Sequence, residues 1–99
     1  MSIAIEKKNA TPIVLVLSGR LDTATAPELE TEIAALLPTE NALTLDMEKL
    51  EYISSAGLRV ILKTQKALSG KDGLKLTHVP ASVKEVFDIT GFSDFLTIE

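Results

Sequence analysis

Apolar residues along this chain follow two rhythms, alternating singles and helical stripes, and the changes between them mark out its elements. Ile3 and Ile5 alternate with Ala4 and Glu6 as a short strand. Lys7 to Pro12 reads as a turn with a charged start and a proline end. Ile13-Val14-Leu15-Val16-Leu17 is apolar at every position, which predicts a central strand covered on both faces. Ser18 to Thr25 is a polar connection. Thr25 is placed to cap a helix, with Glu28 completing a capping box and Pro27 in the first turn. Leu29, Ile33, Leu36 and Leu37 form that helix's buried stripe, Glu28, Glu30 and Glu32 lie mostly outside it, and Pro38 stops it.

The alternation returns at residues 42–47, where Leu43, Leu45 and Met47 flank Thr44 and Asp46. A short connection, Glu48-Lys49-Leu50-Glu51-Tyr52, leads to a second helix from Ser55 to about Ser69-Gly70, with Leu58, Ile61, Leu62 and Leu68 on one face. Lys71-Asp72-Gly73 is a turn, and Leu74 and Leu76 mark another strand. A third helix covers 81–89 with Val83, Val86 and Phe87 inward, ended by Thr90-Gly91. A last strand is expected around Phe95 and Leu96. The order β-β-α-β-α-β-α-β predicts one α/β sandwich, a mixed central sheet with helices packed against it.

Composition narrows the chemistry. Ninety-nine residues make a single domain with a core of its own. Cysteine is absent, which removes disulfides and thiolate sites, and His78 alone cannot build a histidine-rich metal site. A formal charge of −4 argues against broad contact with a nucleic-acid backbone. No apolar run approaches the roughly 18 residues that span a bilayer, and the first residues lack the basic-then-apolar order of a signal peptide. The expectation is a soluble cytoplasmic domain with no metal and no cofactor.

The candidate site is Ile53-Ser54-Ser55-Ala56-Gly57-Leu58, at a strand-to-helix junction. Backbone N–H groups there lack intrahelical partners, so a phosphate on a hydroxyl would be tolerated. From spacing alone, helix capping is the commoner reason for a serine at this position, because serine is among the most frequent caps. Gly57 weakens the capping account, because glycine costs a helix about 1 kcal/mol and suggests that another backbone comes close. Asp22, with Thr23 and Thr25, forms a second polar group in a loop of the same kind; an Asx turn capped by Thr25 is the plain alternative. Arg59, Lys63, Lys66 and Lys71 make the middle helix basic against the acidic first one, as a solvated face or a protein-contact surface. Catalysis is not expected, because His78 is the single conventional base and no nucleophile elbow or phosphate loop is present.

Asp46 to Leu58 resembles the signature of STAS domains, specifically the bacterial anti-sigma factor antagonists. Gly19-Arg20-Leu21-Asp22 is similar to the family's stretch before its first helix, and Val83 to Phe92 to its last helix and turn. The resemblance implies a single STAS domain over residues 1–99 that acts by partner switching. Its partners would be an anti-sigma factor with ATP-dependent serine kinase activity and a metal-dependent serine phosphatase. The phosphoacceptor would be Ser55, with Ser54 as the alternative because many members carry aspartate there. Asp22, Thr23, Thr25, Ser54, Ser55, Gly57 and Leu58 would form or shape the partner surface. The protein would be a monomer or weak dimer. A rival role in the same family is a structural subunit gripping a membrane-transport ATPase, without a phosphorylation cycle.

Overall fold

A computed structural model describes residues 3–99; Met1 and Ser2, the start of the expected domain, lie outside it. The elements are β1 (Ile3–Lys8), β2 (Ile13–Leu21), α1 (Ala26–Leu36), β3 (Ala42–Ile53), α2 (Ser55–Leu68), β4 (Gly73–Thr77), α3 (Ala81–Thr90) and β5 (Thr97–Ile98). This is the predicted order. The sheet runs β1-β2-β3-β4-β5, with β1 antiparallel to β2 and the other neighbours parallel.

Each parallel step moves one strand further in the same direction, so crossovers of a single hand bring all three helices to one face. Side-chain burial agrees. Ile3, Leu15, Leu17, Leu43, Leu45, Leu74 and Leu76 share the covered face, where they cluster with Leu29, Ile33, Leu58, Ile61, Leu68, Val83 and Phe87 from the helices. The opposite face carries exposed Glu6 and Lys75 beside half-buried Val14, Asp46 and Thr77. The β2 run is therefore not covered on both faces as its composition suggested. Val16 and Thr44 are nonetheless buried, on a face where no helix lies.

Both long strands exceed their predicted lengths, and for one reason. Val16 pairs with Asp46 but Ser18 with Lys49, and Gly19 pairs with Leu50 but Arg20 with Tyr52. Strand β3 thus carries two extra residues as bulges, and each reverses the side on which the next side chain falls. The apolar spacing changes from two to three, and Met47, Leu50 and Ile53 all remain buried. Asp46 Oδ1 accepts the Glu48 N–H at 3.1 Å where the pairing first shifts, and Gly19 supplies φ 100 at the second shift. Residues 18–21 and 48–52 are strand, not connection.

Three smaller differences follow. Thr25 builds no capping box, and its hydroxyl turns back to the Arg20 carbonyl. Lys71 lies beyond the end of α2, in the turn. The last strand is Thr97–Ile98 alone, because a 3-10 turn occupies Phe92–Asp94 and leaves Phe95 exposed.

Deleting Glu51 removes one bulge and leaves Leu50 and Ile53 two positions apart, the spacing at which a regular strand keeps both on the core face. The expected loss, read as a shift of the urea midpoint, is well below the about 2–4 kcal/mol of losing a large buried side chain. A loss as large as that would show that the pleat alone does not return Ile53 to the core.

Candidate functional site

Strand β3 pairs with β4 only through Asp46, so its second half projects beyond β4 as a ribbon with the end of β2, which β1 flanks as far as Gly19. Two loops leave the tip of this ribbon. From β2 comes Asp22-Thr23-Ala24-Thr25 and from β3 comes Ser54, and the Ser54 N–H donates to the Leu21 carbonyl at 2.9 Å. The structure thus places Asp22 and the serines at one edge of the sheet.

The Asp22 loop is an Asx turn. Asp22 Oδ1 accepts the N–H groups of Ala24 (3.0 Å) and Thr25 (3.1 Å). The Thr25 hydroxyl donates to the Arg20 carbonyl at 2.7 Å and accepts the Asp22 N–H at 2.9 Å. The N–H of Thr25, then its hydroxyl, the N–H of Ala24 and the nearby Arg20 hold the Asp22 carboxyl below its ordinary value of 3.8, with desolvation opposing. Thr25 itself is buried and locks the turn from within.

The two serines divide their roles. Ser54 has extended backbone, is half-buried, and its Oγ accepts the Gly57 N–H at 3.4 Å as the cap of α2. Ser55 is the first residue of the helix, is exposed, and its hydroxyl makes no hydrogen bond to the described residues. Gly57 and Leu58 are buried beneath them. A Cβ at Gly57 would lie 2.7 Å from Leu21 Cγ and 3.0 Å from Ile53 Cγ1. The close neighbours of this glycine are thus side chains of β2 and β3, not the backbone its sequence position suggested.

Of the residues singled out in sequence, Ser55 and Thr23 are exposed, Ser54 and Asp22 are half-buried, and Thr25, Gly57 and Leu58 are buried. The last three can shape a surface only from below. Sequence reasoning missed Arg20 and Tyr52. The Arg20 guanidinium lies 4.3 Å from the centre of the Tyr52 ring, and its Nε is 3.9 Å from Asp22 Oδ2. The two are partners across the ribbon only because of the bulges, so no spacing rule finds them.

The remaining polar groups are elsewhere. His78 Nδ1 lies 3.2 Å from Asp46 Oδ1, and Ile53 is seven steps further along the strand than Asp46. At about 3.3 Å per residue, His78 is roughly 20 Å from the serines, beyond the reach of a general base. Among the described residues no group of three or more His, Cys, Asp or Glu side chains could hold a metal. No helix there is long and apolar enough to cross a membrane.

Comparison with known proteins places this geometry. The family model described as Mlab, STAS domain, matches residues 5–98, and the chain belongs to the STAS domain family. The chain is similar to BtrV of Bordetella bronchiseptica, which carries the name of an anti-sigma factor antagonist, at 43% identity over 82 residues, 81% of this chain and 71% of that protein. It is 30% identical to the anti-sigma-B factor antagonist of Bacillus subtilis, over 99% of this chain and 92% of that one. A crystal structure of an anti-sigma factor antagonist from Mycobacterium paratuberculosis shares the fold with a TM-score of 0.88 and 24% identity, covering 97% of this chain and 84% of that one.

Two outcomes test the site's construction. Gly57→Ala gains helix propensity but drives a methyl into the branched carbon of Leu21, for an expected net loss of about 1–2 kcal/mol. Gly70→Ala meets nothing within 4 Å and is expected to be neutral in the same urea titration. Equal stabilities would remove the steric argument. For Asp22, a lowered folded-state pKa contributes stability above the ordinary value of 3.8 that disappears as pH falls through the lowered value. The stability gap between wild type and Asp22→Asn is therefore expected to close below about pH 4; a gap constant from pH 7 to 2 would contradict it.

Proposed function

We propose that this chain is an anti-sigma factor antagonist that switches partners through a phosphate on Ser55. The observation that carries the proposal is the division of hydroxyls, Ser54 committed as a cap and Ser55 exposed and unbonded. The names of its relatives support the same role. In the unphosphorylated state the edge formed by the Asp22-Thr23 loop and Ser55 docks on an anti-sigma factor that is also an ATP-dependent serine kinase, displacing what it held. Asp22 keeps its charge throughout the neutral range, and Arg20 and Tyr52 extend the contact along the ribbon.

The kinase transfers the γ-phosphoryl group of ATP to Ser55 Oγ, the hydroxyl proton is lost and ADP leaves. The product carries about −1.5 to −2 added charges at neutral pH. In a packed interface that charge must be desolvated and repels acidic partner groups. A metal-dependent serine phosphatase hydrolyses the ester and restores the hydroxyl. This chain supplies no catalytic group, and the switch needs no change of fold. It operates in the cytoplasm, as a monomer or weak dimer, without contact to nucleic acid.

Ser55→Ala is expected to bind the kinase as wild type does and to accept no phosphate. Phosphorylated wild type is expected to bind roughly 10²–10⁴-fold more weakly, a loss of about 3–5.5 kcal/mol, and Ser55→Asp part of the way. Titration calorimetry measures the affinities, and mass spectrometry after incubation with host lysate and ATP maps the site. Phosphate on Ser54 would move the acceptor by one residue. No phosphate, with a transport ATPase co-purifying, would favour the structural-subunit role. Equal affinity for all forms would remove the switch.

A further inference from the structure

We propose that Arg59 is the built-in counter-ion of a phosphate on Ser55, holding it within the same chain by a two-pronged, charge-assisted hydrogen bond; this rests on the reading of Ser55 as the acceptor. Ser55 and Arg59 are four residues apart on α2 and both are exposed. Side chains at that spacing are neighbours, with about 5–6 Å between their Cβ atoms. Helical side chains lean toward the N-terminus, so Arg59 extends back over the turn that carries Ser55.

Availability separates Arg59 from the other cations near the site. Arg20 is already engaged by Tyr52 and Asp22. Arg59 lines a cleft of about 250 Å³ between the first turns of α1 and α2, together with Thr23, Glu30, Ala56 and Lys63. Glu30 is the one carboxylate in that lining, and Lys63 Nζ holds it at 2.6 Å. Among the described residues Arg59 has no carboxylate within 4 Å, so no ion pair must break before it reaches a phosphate. A planar guanidinium offers two parallel N–H groups to two phosphate oxygens, a match that a lysine ammonium lacks.

Phosphorylation then changes the docking edge twice. It adds a dianion, and it withdraws the one unpaired arginine that an acidic group on the partner would meet. The second change deepens the switch without moving the backbone.

The test installs phosphoserine at position 55 during translation, in wild type, Arg59→Ala and Arg59→Lys, so the result is independent of any kinase. Arg59 is on an exposed helical face where alanine is the better helix former, so both variants are expected to fold. Phosphorus-31 resonances are titrated through the second ionisation, near pH 6, at low salt. The wild-type midpoint is expected about 0.3 unit below that of Arg59→Ala, as for a surface pair at this spacing. The gap should narrow in 1 M salt, Arg59→Lys should fall between, and the Arg59 Nε–H resonance should move through the same midpoint. Equal midpoints for wild type and Arg59→Ala would overturn the clamp. So would an Arg59→Lys midpoint equal to wild type, which would reduce the effect to unpaired charge. These failures speak against the clamp alone, whereas absence of phosphate transfer to Ser55 in the kinase experiment speaks against the acceptor reading alone.

Discussion

The geometry of the whole site depends on a contact with no polar atom in it, the seat of Gly57 against Leu21 and Ile53. Those two residues are paired at the ends of β2 and β3, fully or nearly fully buried. With only hydrogen at the glycine position, the first turn of α2 settles directly onto them. That closeness brings the Ser54 N–H to the Leu21 carbonyl and aligns the Ser54 hydroxyl with the helix start. A larger residue would lift the helix end away from the ribbon. The hydrogen bond that joins the two loops would lengthen, and the relation of Asp22 to Ser55 would loosen with it. A steric fact in the core therefore sets the register of a polar surface.

The same junction explains how neighbouring serines acquire different chemistry. Ser54 is the last extended residue, so its hydroxyl points along the helix axis at an unpaired N–H, the position where short hydroxyl side chains serve best. Ser55 is the first helical residue, and its side chain leaves the axis toward solvent. Exposed hydroxyl and cap differ by one residue and one backbone rotation. A reversal of their roles would require the helix to begin one residue later, which the Gly57 seat opposes.

Much of this was legible in the sequence, where the rhythm was regular. Helical stripes such as Leu29 and Ile33, or Val83 and Phe87, predicted their own burial, and the β-α alternation gave the fold. What was not legible is where local patterns yield to pairing. Leu50 and Ile53 look like loop residues because they break a period of two, yet two bulges make that break the condition for their burial. Thr25 with Glu28 satisfies the sequence rule for a capping box, but Asp22 already supplies the turn's acceptor and frees the threonine hydroxyl for the Arg20 carbonyl. Arg20 and Tyr52 are 32 positions apart with no shared motif. For the site itself, sequence marked Ser54, Ser55 and Asp22, and the structure sorts them by exposure.

The projecting ribbon has a further consequence. Beyond Asp46 strand β3 has β2 as its one neighbour, and β1 accompanies β2 as far as Gly19. Matched insertions in β2 and β3, in pairs that keep the pleat in phase, would move the strand ends outward by about 7 Å at a time. They would also draw Leu21 and Ile53 out of the cluster they share with Leu58 and Ile61 of α2. Reach is thereby tied to stability, and the core itself acts as the ruler that fixes how far the serines stand from the sheet.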